Sequence, residues 1–121
     1  MAFQRTVVLV AALAASFCAF SYSASADETG FATIHPWKKV GRKTCFSDGH
    51  LHYGNSDGHR SKKRAMRAAI KDWQEFTAFE YGTDWAYFKN AIAKTRGCSN
   101  GSGSWGCSVE GTPCKRTRRR R

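Results

Sequence analysis

The sequence lacks the short motifs by which most small enzymes and zinc-binding domains are identified. Its 121 residues contain no C-x-x-C pair of a structural zinc site and no H-E-x-x-H motif of a zinc hydrolase. Acidic residues are also scarce, with 9 Asp and Glu against 20 Lys and Arg. We therefore predict a basic protein that is not an enzyme, and we assign no catalytic residue.

An apolar run long enough to span a bilayer is lacking as well. The most apolar stretch, residues 7–20, has about 14 residues, whereas a transmembrane helix needs about 20. It follows Arg5 and precedes Ala24-Ser25-Ala26, which fits the A-x-A pattern that signal peptidase recognises. We predict that residues 1–26 are a cleaved signal peptide and that the mature protein, without a transmembrane segment, is periplasmic or secreted.

The cysteines that would remain after cleavage are even in number: Cys45, Cys98, Cys107 and Cys114. In an oxidising compartment they indicate two disulfides, which supplement the small core of a short chain. Four cysteines allow three pairings, and the sequence does not decide among them. The preferred pairing joins Cys98 to Cys107 across a hairpin and Cys45 to Cys114.

Hydrophobic periodicity predicts a helix that begins after Ser61, a good N-cap residue. One face of this helix would carry Met66, Ala69, Ile70, Trp73, Phe76 and Thr77. Gly82 interrupts the pattern, which then resumes at Tyr81, Trp85, Phe88 and Ile92. We expect either one helix kinked at Gly82 or two consecutive helices, and we prefer a break.

The predicted fold is α+β, a small single domain in which these helices pack on a short disulfide-stabilised β-hairpin. Its strands would lie near Lys94–Cys98 and Trp105–Val109, on either side of a turn rich in Gly, Ser and Asn. Residues 27–44 are predicted as a loosely ordered lead-in, residues 45–114 as the domain, and residues 115–121 as a disordered basic tail. The predicted core comprises Trp73, Phe76, Trp85, Phe88 and Ile92, covered by Trp105 and Val109.

An alanine-rich helix with a central Trp is followed by a Tyr-Gly pair and another aromatic residue, and a W-x-C-x-V-E-x-x-P-C motif comes near the end of the chain. The residues of this pattern are Ala68, Ala69, Ile70, Trp73, Tyr81, Gly82, Trp85, Cys98, Trp105, Cys107, Val109, Glu110, Pro113 and Cys114. In this pattern residues 50 to 114 resemble a group of small exported proteins of rhizobia and related alphaproteobacteria. The resemblance implies an exported domain and assigns it no activity.

Three of the four histidines lie in the segment FSDGHLHYGNSDGHR. If residues 50–53 are a strand, His50 and His52 point to the same side and could bind zinc or copper with His59, helped by Asp48 or Asp57. The preferred alternative is two similar turns, with Leu51 and Tyr53 packed inward and the histidines facing water. No cofactor is expected; a periplasmic zinc or copper protein is the alternative function.

Positive charge is the main functional signal. Cleavage would remove Arg5 and no acidic residue, so that 19 of the 20 Lys and Arg remain against 9 Asp and Glu. Six of these cations lie in the last seven residues. Three others, Lys63, Arg67 and Lys71, are spaced four residues apart and form a basic ridge on the predicted helix. The predicted anion-binding residues are Lys63, Arg67, Lys71, Arg118, Arg119, Arg120 and Arg121.

This distribution predicts an exported binding or structural module that associates with anionic cell-envelope polymers or lipid headgroups. Nucleic acid would bind only non-specifically, and the export signal argues against it as the physiological partner.

Overall fold

The computed structural model describes residues 26–47 and 49–117. The predicted signal peptide up to residue 25, Asp48 and Arg118–Arg121 lie outside the described residues. The first elements along the described residues are helix α1 (Gly30–Ile34) and strands β1 (Trp37–Val40), β2 (Lys43–Phe46) and β3 (His52–His59). Then come helix α2 (Lys62–Tyr81) and strands β4 (Ile92–Gly101), β5 (Ser104–Thr112) and β6 (Cys114–Arg116). The predicted α+β class and single small domain are confirmed. Among the described residues no helix is both long and apolar enough to cross a bilayer.

Helix α2 begins and ends where the sequence predicts. The Ser61 hydroxyl caps its first turn by accepting a hydrogen bond from the Arg64 amide at 3.3 Å. Gly82 ends it with a φ of 102°, in a position where a Cβ atom would lie 2.5 Å from the Asp27 carbonyl oxygen. Only glycine satisfies both the positive φ and this close approach. The predicted break at Gly82 is therefore confirmed.

The second helix predicted after Gly82 is absent from the described residues. Two 3-10 turns, Thr83–Trp85 and Phe88–Asn90, occupy its place. The helical spacing was misleading because Trp85 and Phe88 belong to two different cores, one with Phe46 and the other with Trp73.

The strands form two antiparallel three-stranded sheets, ordered β1-β2-β6 and β3-β5-β4. The β4–β5 hairpin pairs Cys98 with Cys107, and the β2–β6 pair sets Cys45 opposite Cys114. Both opposed pairs are disulfide-bonded. The preferred cysteine pairing is thus confirmed, and each bond joins two strands of one sheet.

Helix α2 packs on the β3-β5-β4 sheet through small residues. Ala65 and Ala69 are fully buried, and Gly54 of β3 lies so close to the helix that a Cβ atom there would be 2.2 Å from the Ala69 carbonyl oxygen. Trp73 fills the centre of this interface, where its indole N–H donates to the carbonyl oxygens of His52 at 3.0 Å and Gly111 at 3.3 Å. Of the other predicted core residues, Trp85, Phe88 and Val109 are buried, Ile92 and Trp105 are half-buried, and Phe76 is 48% exposed.

The segment predicted as a loosely ordered lead-in is instead an ordered part of the fold. It forms α1, β1 and the start of β2, and Ala32 is fully buried in a second core with Phe46, Tyr81 and Trp85. The Thr29 amide donates to the Tyr81 carbonyl oxygen at 3.0 Å. Because such contacts use backbone atoms at the end of α2, no hydrophobic pattern within residues 27–44 reveals them.

Candidate functional site

The histidines do not lie as either sequence interpretation expects. His52 is the first residue of β3 and is 6% exposed, whereas its neighbour Tyr53 is 57% exposed. The preferred picture of water-facing histidines with Tyr53 packed inward is therefore wrong. The alternation of side chains along β3 turns His52 toward α2, where its ring stacks on Tyr81 with centroids 4.9 Å apart.

Both ring nitrogens of His52 have partners on α2. Nδ1 lies 2.9 Å from the Thr77 hydroxyl oxygen, and Nε2 lies 3.1 Å from the Glu80 carboxylate. The one proton of the Thr77 hydroxyl is donated to the Trp73 carbonyl oxygen at 2.7 Å, so the Thr77 oxygen is placed to accept from Nδ1–H of His52. Burial, reinforced by the nearby His50 and His35, lowers the pKa of His52 to about 4. His52 is thus a buried structural side chain whose two ring nitrogens both have partners within the protein.

His59 is separated from the other two predicted metal ligands. It ends β3, opposite Trp105, seven residues beyond His52 and roughly 20 Å away at the rise of an extended strand. Asp57 accepts a hydrogen bond from the Gly58 amide at 2.8 Å, at the register shift within β3. Across residues 26–47 and 49–117, no three or more His, Cys, Asp and Glu side chains are arranged to hold a metal ion.

His35, which lies outside the histidine-rich segment of the sequence, takes the place expected for His59. Its ring meets that of His50 edge-on, with centroids 4.6 Å apart, and its Nδ1 lies 2.7 Å from the Phe31 carbonyl oxygen. The Nδ1 atom of His50 is buried without a hydrogen-bond partner among the described residues. His35, His50 and His52 therefore form an imidazole cluster that joins the N-terminal segment to β3 and α2.

A basic surface of the described residues lies beside the β1-β2-β6 sheet. A cavity of about 570 Å³ is lined by Trp37, Lys38, Lys39, Thr44, Asp84, Lys115, Arg116 and Thr117. A second cavity of about 320 Å³ shares three of these residues and adds Tyr87, Lys89 and Asn90. We call the combined surface the basic groove. Antiparallel pairing of β1 and β6 with β2 brings its cations together from the two ends of the domain.

The cations of the basic groove have different surroundings. Lys115 is enclosed, because its ammonium lies 4.5 Å from the Trp37 ring centroid and 4.9 Å from that of Trp85 and is paired with the Glu28 carboxylate. Lys39 is exposed and donates to the hydroxyls of Thr44 at 2.9 Å and Thr117 at 3.4 Å.

Two further groove cations, Arg116 and Lys89, are exposed. Lys115 therefore stabilises the groove wall, while Lys39, Lys89 and Arg116 present positive charge to solvent.

The predicted anion-binding residues fall in two places. Lys63, Arg67 and Lys71 are all exposed along α2, although Lys71 is paired with Glu75. Arg118–Arg121 lie outside the described residues, but they directly follow Thr117, which lines the basic groove. No local sequence pattern predicts the basic groove, because β1 and β6 are far apart in sequence. Its signals in the sequence are two pairs of cations, Lys38-Lys39 and Lys115-Arg116.

No protein-family model, curated protein or solved structure matches this chain. The resemblance to small exported proteins stays a prediction, and function is argued from geometry and charge.

Proposed function

We propose that this protein is an exported binding module that attaches to phosphate-bearing anionic surfaces of the cell envelope through its basic groove. The observation that carries the proposal is the gathering of Lys39, Lys89 and Arg116 around two adjoining cavities that share Arg116, at the point where the arginine-rich terminus follows Thr117. Two disulfides and the absence of a membrane-spanning helix among the described residues are compatible with a periplasmic or secreted protein.

The charge distribution supports an anionic ligand. Like charges held within a Debye length, about 8 Å at physiological salt, repel one another, and this repulsion is relieved when a polyanion binds. Arg116 offers a planar guanidinium that can bind two phosphate oxygens at once, and Lys39 and Lys89 add compact charges. The groove's aromatic wall, Trp37 and Tyr87, is 40% and 52% exposed and can contact the apolar parts of such a ligand.

The basic ridge would extend the same attraction over a second surface. Its residues Lys63 and Arg67 are exposed, and the first turn of α2 carries no acidic residue that would neutralise them. Since positive charge at a helix N-terminus is unfavourable, an anion bound nearby would stabilise this end of α2.

The test uses the full mature chain and two anionic probes, lipopolysaccharide and vesicles that contain an anionic phospholipid. The double variant Lys39→Gln, Arg116→Gln should bind both probes more weakly. The slope of log affinity against log salt should flatten by a little under one unit for each phosphate that the variant no longer neutralises, by analogy with nucleic acids. Deleting Arg118–Arg121 should flatten it further.

The double variant Arg60→Gln, Lys62→Gln is the matched control. Like the groove variant it removes one arginine and one lysine, but at the opposite end of α2, about 30 Å from the groove for a helix of 20 residues. Equal effects of the two double variants would mean that only net charge matters, and an unchanged salt slope in the groove variant would refute the proposed site.

A further inference from the structure

Four large apolar side chains are exposed together at one end of the molecule. Phe31 and Ile34 of α1 are 61% and 73% exposed, and Phe76 and Phe79 of α2 are 48% and 86% exposed. The three phenylalanines and Glu80 line a cavity of about 270 Å³. With side-chain areas of about 150–250 Å² for aromatic residues, these four residues, which we call the apolar patch, expose about 500 Å². That is near the upper end for a monomeric soluble protein.

The fold exposes these large side chains and buries smaller ones on the same two helices. Helix α1 buries Ala32 completely and turns Phe31 and Ile34 outward. The last turns of α2 likewise bury Thr77 completely and turn Phe79 outward. Burial of the large residues would stabilise the fold more than burial of the small ones. The outward arrangement is therefore typical of a surface that is covered by a partner.

The residues beside the apolar patch favour a bilayer as that partner. The Thr29 amide donates to the Tyr81 carbonyl oxygen at 3.0 Å, which holds the segment that leads into α1 beside the end of α2. Phe79 lies in that last turn, so the patch forms where these two segments meet.

The residues that follow the apolar patch are those of an interfacial anchor. Three positions after Ile34 comes Trp37, 40% exposed, and then Lys38 and Lys39 of the basic groove. Tryptophan prefers the headgroup level of a membrane, and lysine reaches the phosphates.

The carboxylates near the patch have partners within the protein. Glu75 is paired with Lys71, which offsets its charge, and Glu80 lies 3.1 Å from the Nε2 atom of His52, which holds it at the rim of the patch.

We propose that the apolar patch inserts into the boundary between headgroups and acyl chains of a phospholipid bilayer. The inference rests on the proposed function, whose anionic surface it narrows to a membrane: the basic groove contacts lipid phosphates while Phe31, Ile34, Phe76 and Phe79 enter the apolar layer. Attachment then has a salt-dependent part from the groove and a salt-independent part from the patch.

The test measures binding of the mature chain to vesicles containing an anionic phospholipid, at low and high salt, and to heparin as a soluble polyanion. Phe79→Ser and Phe31→Ser should each weaken vesicle binding about tenfold at both salt concentrations, the scale expected for losing a buried phenylalanine, and leave heparin binding unchanged. Both side chains are exposed, and thermal unfolding checks that the variants fold. Tyr53→Ser, which removes a 57% exposed aromatic ring from β3 outside the patch, is the control and should bind as the wild type does.

The outcomes separate this inference from the proposed function. Vesicle binding that the patch variants leave intact would overturn the inference while the groove stands. If the wild type bound heparin but not vesicles, that result would also overturn membrane insertion and leave the groove as an anion-binding site. Loss of vesicle binding in the patch variants, with a salt slope that the groove variant does not change, would uphold the inference and refute the groove. A wild-type dimer that Phe79→Ser dissociates, with unaltered vesicle binding, would assign the patch to a second copy and overturn insertion.

Discussion

The Nε2 atom of His52 lies 3.1 Å from the carboxylate of Glu80, which joins the first residue of β3 to the end of α2. His52 is a buried titratable group, and its pKa of about 4 is far below the ordinary value of 6.5 because burial disfavours the imidazolium, as do His50 and His35 nearby. Besides these histidines, the Glu80 carboxylate and the stacked ring of the buried Tyr81 lie against the His52 ring. Burial, together with the charge of Glu80, raises the pKa of Tyr81 to about 12, so Tyr81 stays neutral.

The first prediction concerns stability against pH. Because the pKa of His52 is lower in the folded than in the unfolded state, the unfolded state binds more protons between these values, and stability falls as pH drops from 6.5 toward about 4. The loss should approach about 3 kcal/mol, since one pKa unit corresponds to about 1.4 kcal/mol. Urea unfolding across this pH range should show a flatter profile for His52→Gln. His59→Gln, at the far end of β3, is the control and should keep the wild-type profile.

The second prediction concerns Gly82. Gly82→Ala should destabilise the protein by more than about 2 kcal/mol, because the new Cβ atom would meet the Asp27 carbonyl oxygen at 2.5 Å and the φ of 102° is strained for alanine. Gly101→Ala is the matched control, because open space surrounds that position. Thermal or chemical unfolding distinguishes them, and equal stability of the two variants would show that residues 26–29 are not held against the end of α2.

The third prediction compares the two disulfides. Cys45–Cys114 spans 69 residues and Cys98–Cys107 spans 9. In the chain-entropy model, removal of the long-range bond should lower the free energy of unfolding by about 4 kcal/mol and removal of the short-range bond by about 2.5 kcal/mol. Urea unfolding of the two paired Cys→Ser variants measures the difference. The opposite order would mean that the unfolded chain is not the state on which these bonds mainly act.

Local signals in the sequence predict much of this fold. The Ser61 cap, the helical face around Trp73 and the glycine at position 82 each act over a few residues, and they define α2 correctly. The hairpin and its cysteines are equally local, since the turn and both partners fit within about a dozen residues, the usual reach of hairpin signals.

The N-terminal segment and the basic groove depend on contacts that no local pattern records. Thr29 and Glu80 are 51 positions apart, and Lys39 and Thr117 are 78 apart. His35 joins the imidazole cluster in the same way, through the fold rather than through spacing. The prediction that His52 faces water is wrong because alternation along a strand shows which side chains share a face, but not which face meets the helix.

The hydrogen bonds at Ala26 and Asp27 bear on the order of events in export. Their carbonyl oxygens accept from the amides of Thr83 and Asp84, both at 3.0 Å, so the peptide link between them is engaged once the domain closes. A peptidase must draw that link into its own cleft, and docking against residues 82–84 competes with it. If the leader is severed at Ala26, the cut would have to come before closure. The Thr83 amide would then lose the Ala26 carbonyl oxygen as its acceptor, while the Asp27 carbonyl oxygen could still accept from Asp84. Cleavage at this link would therefore place the docking of the N-terminal segment after translocation.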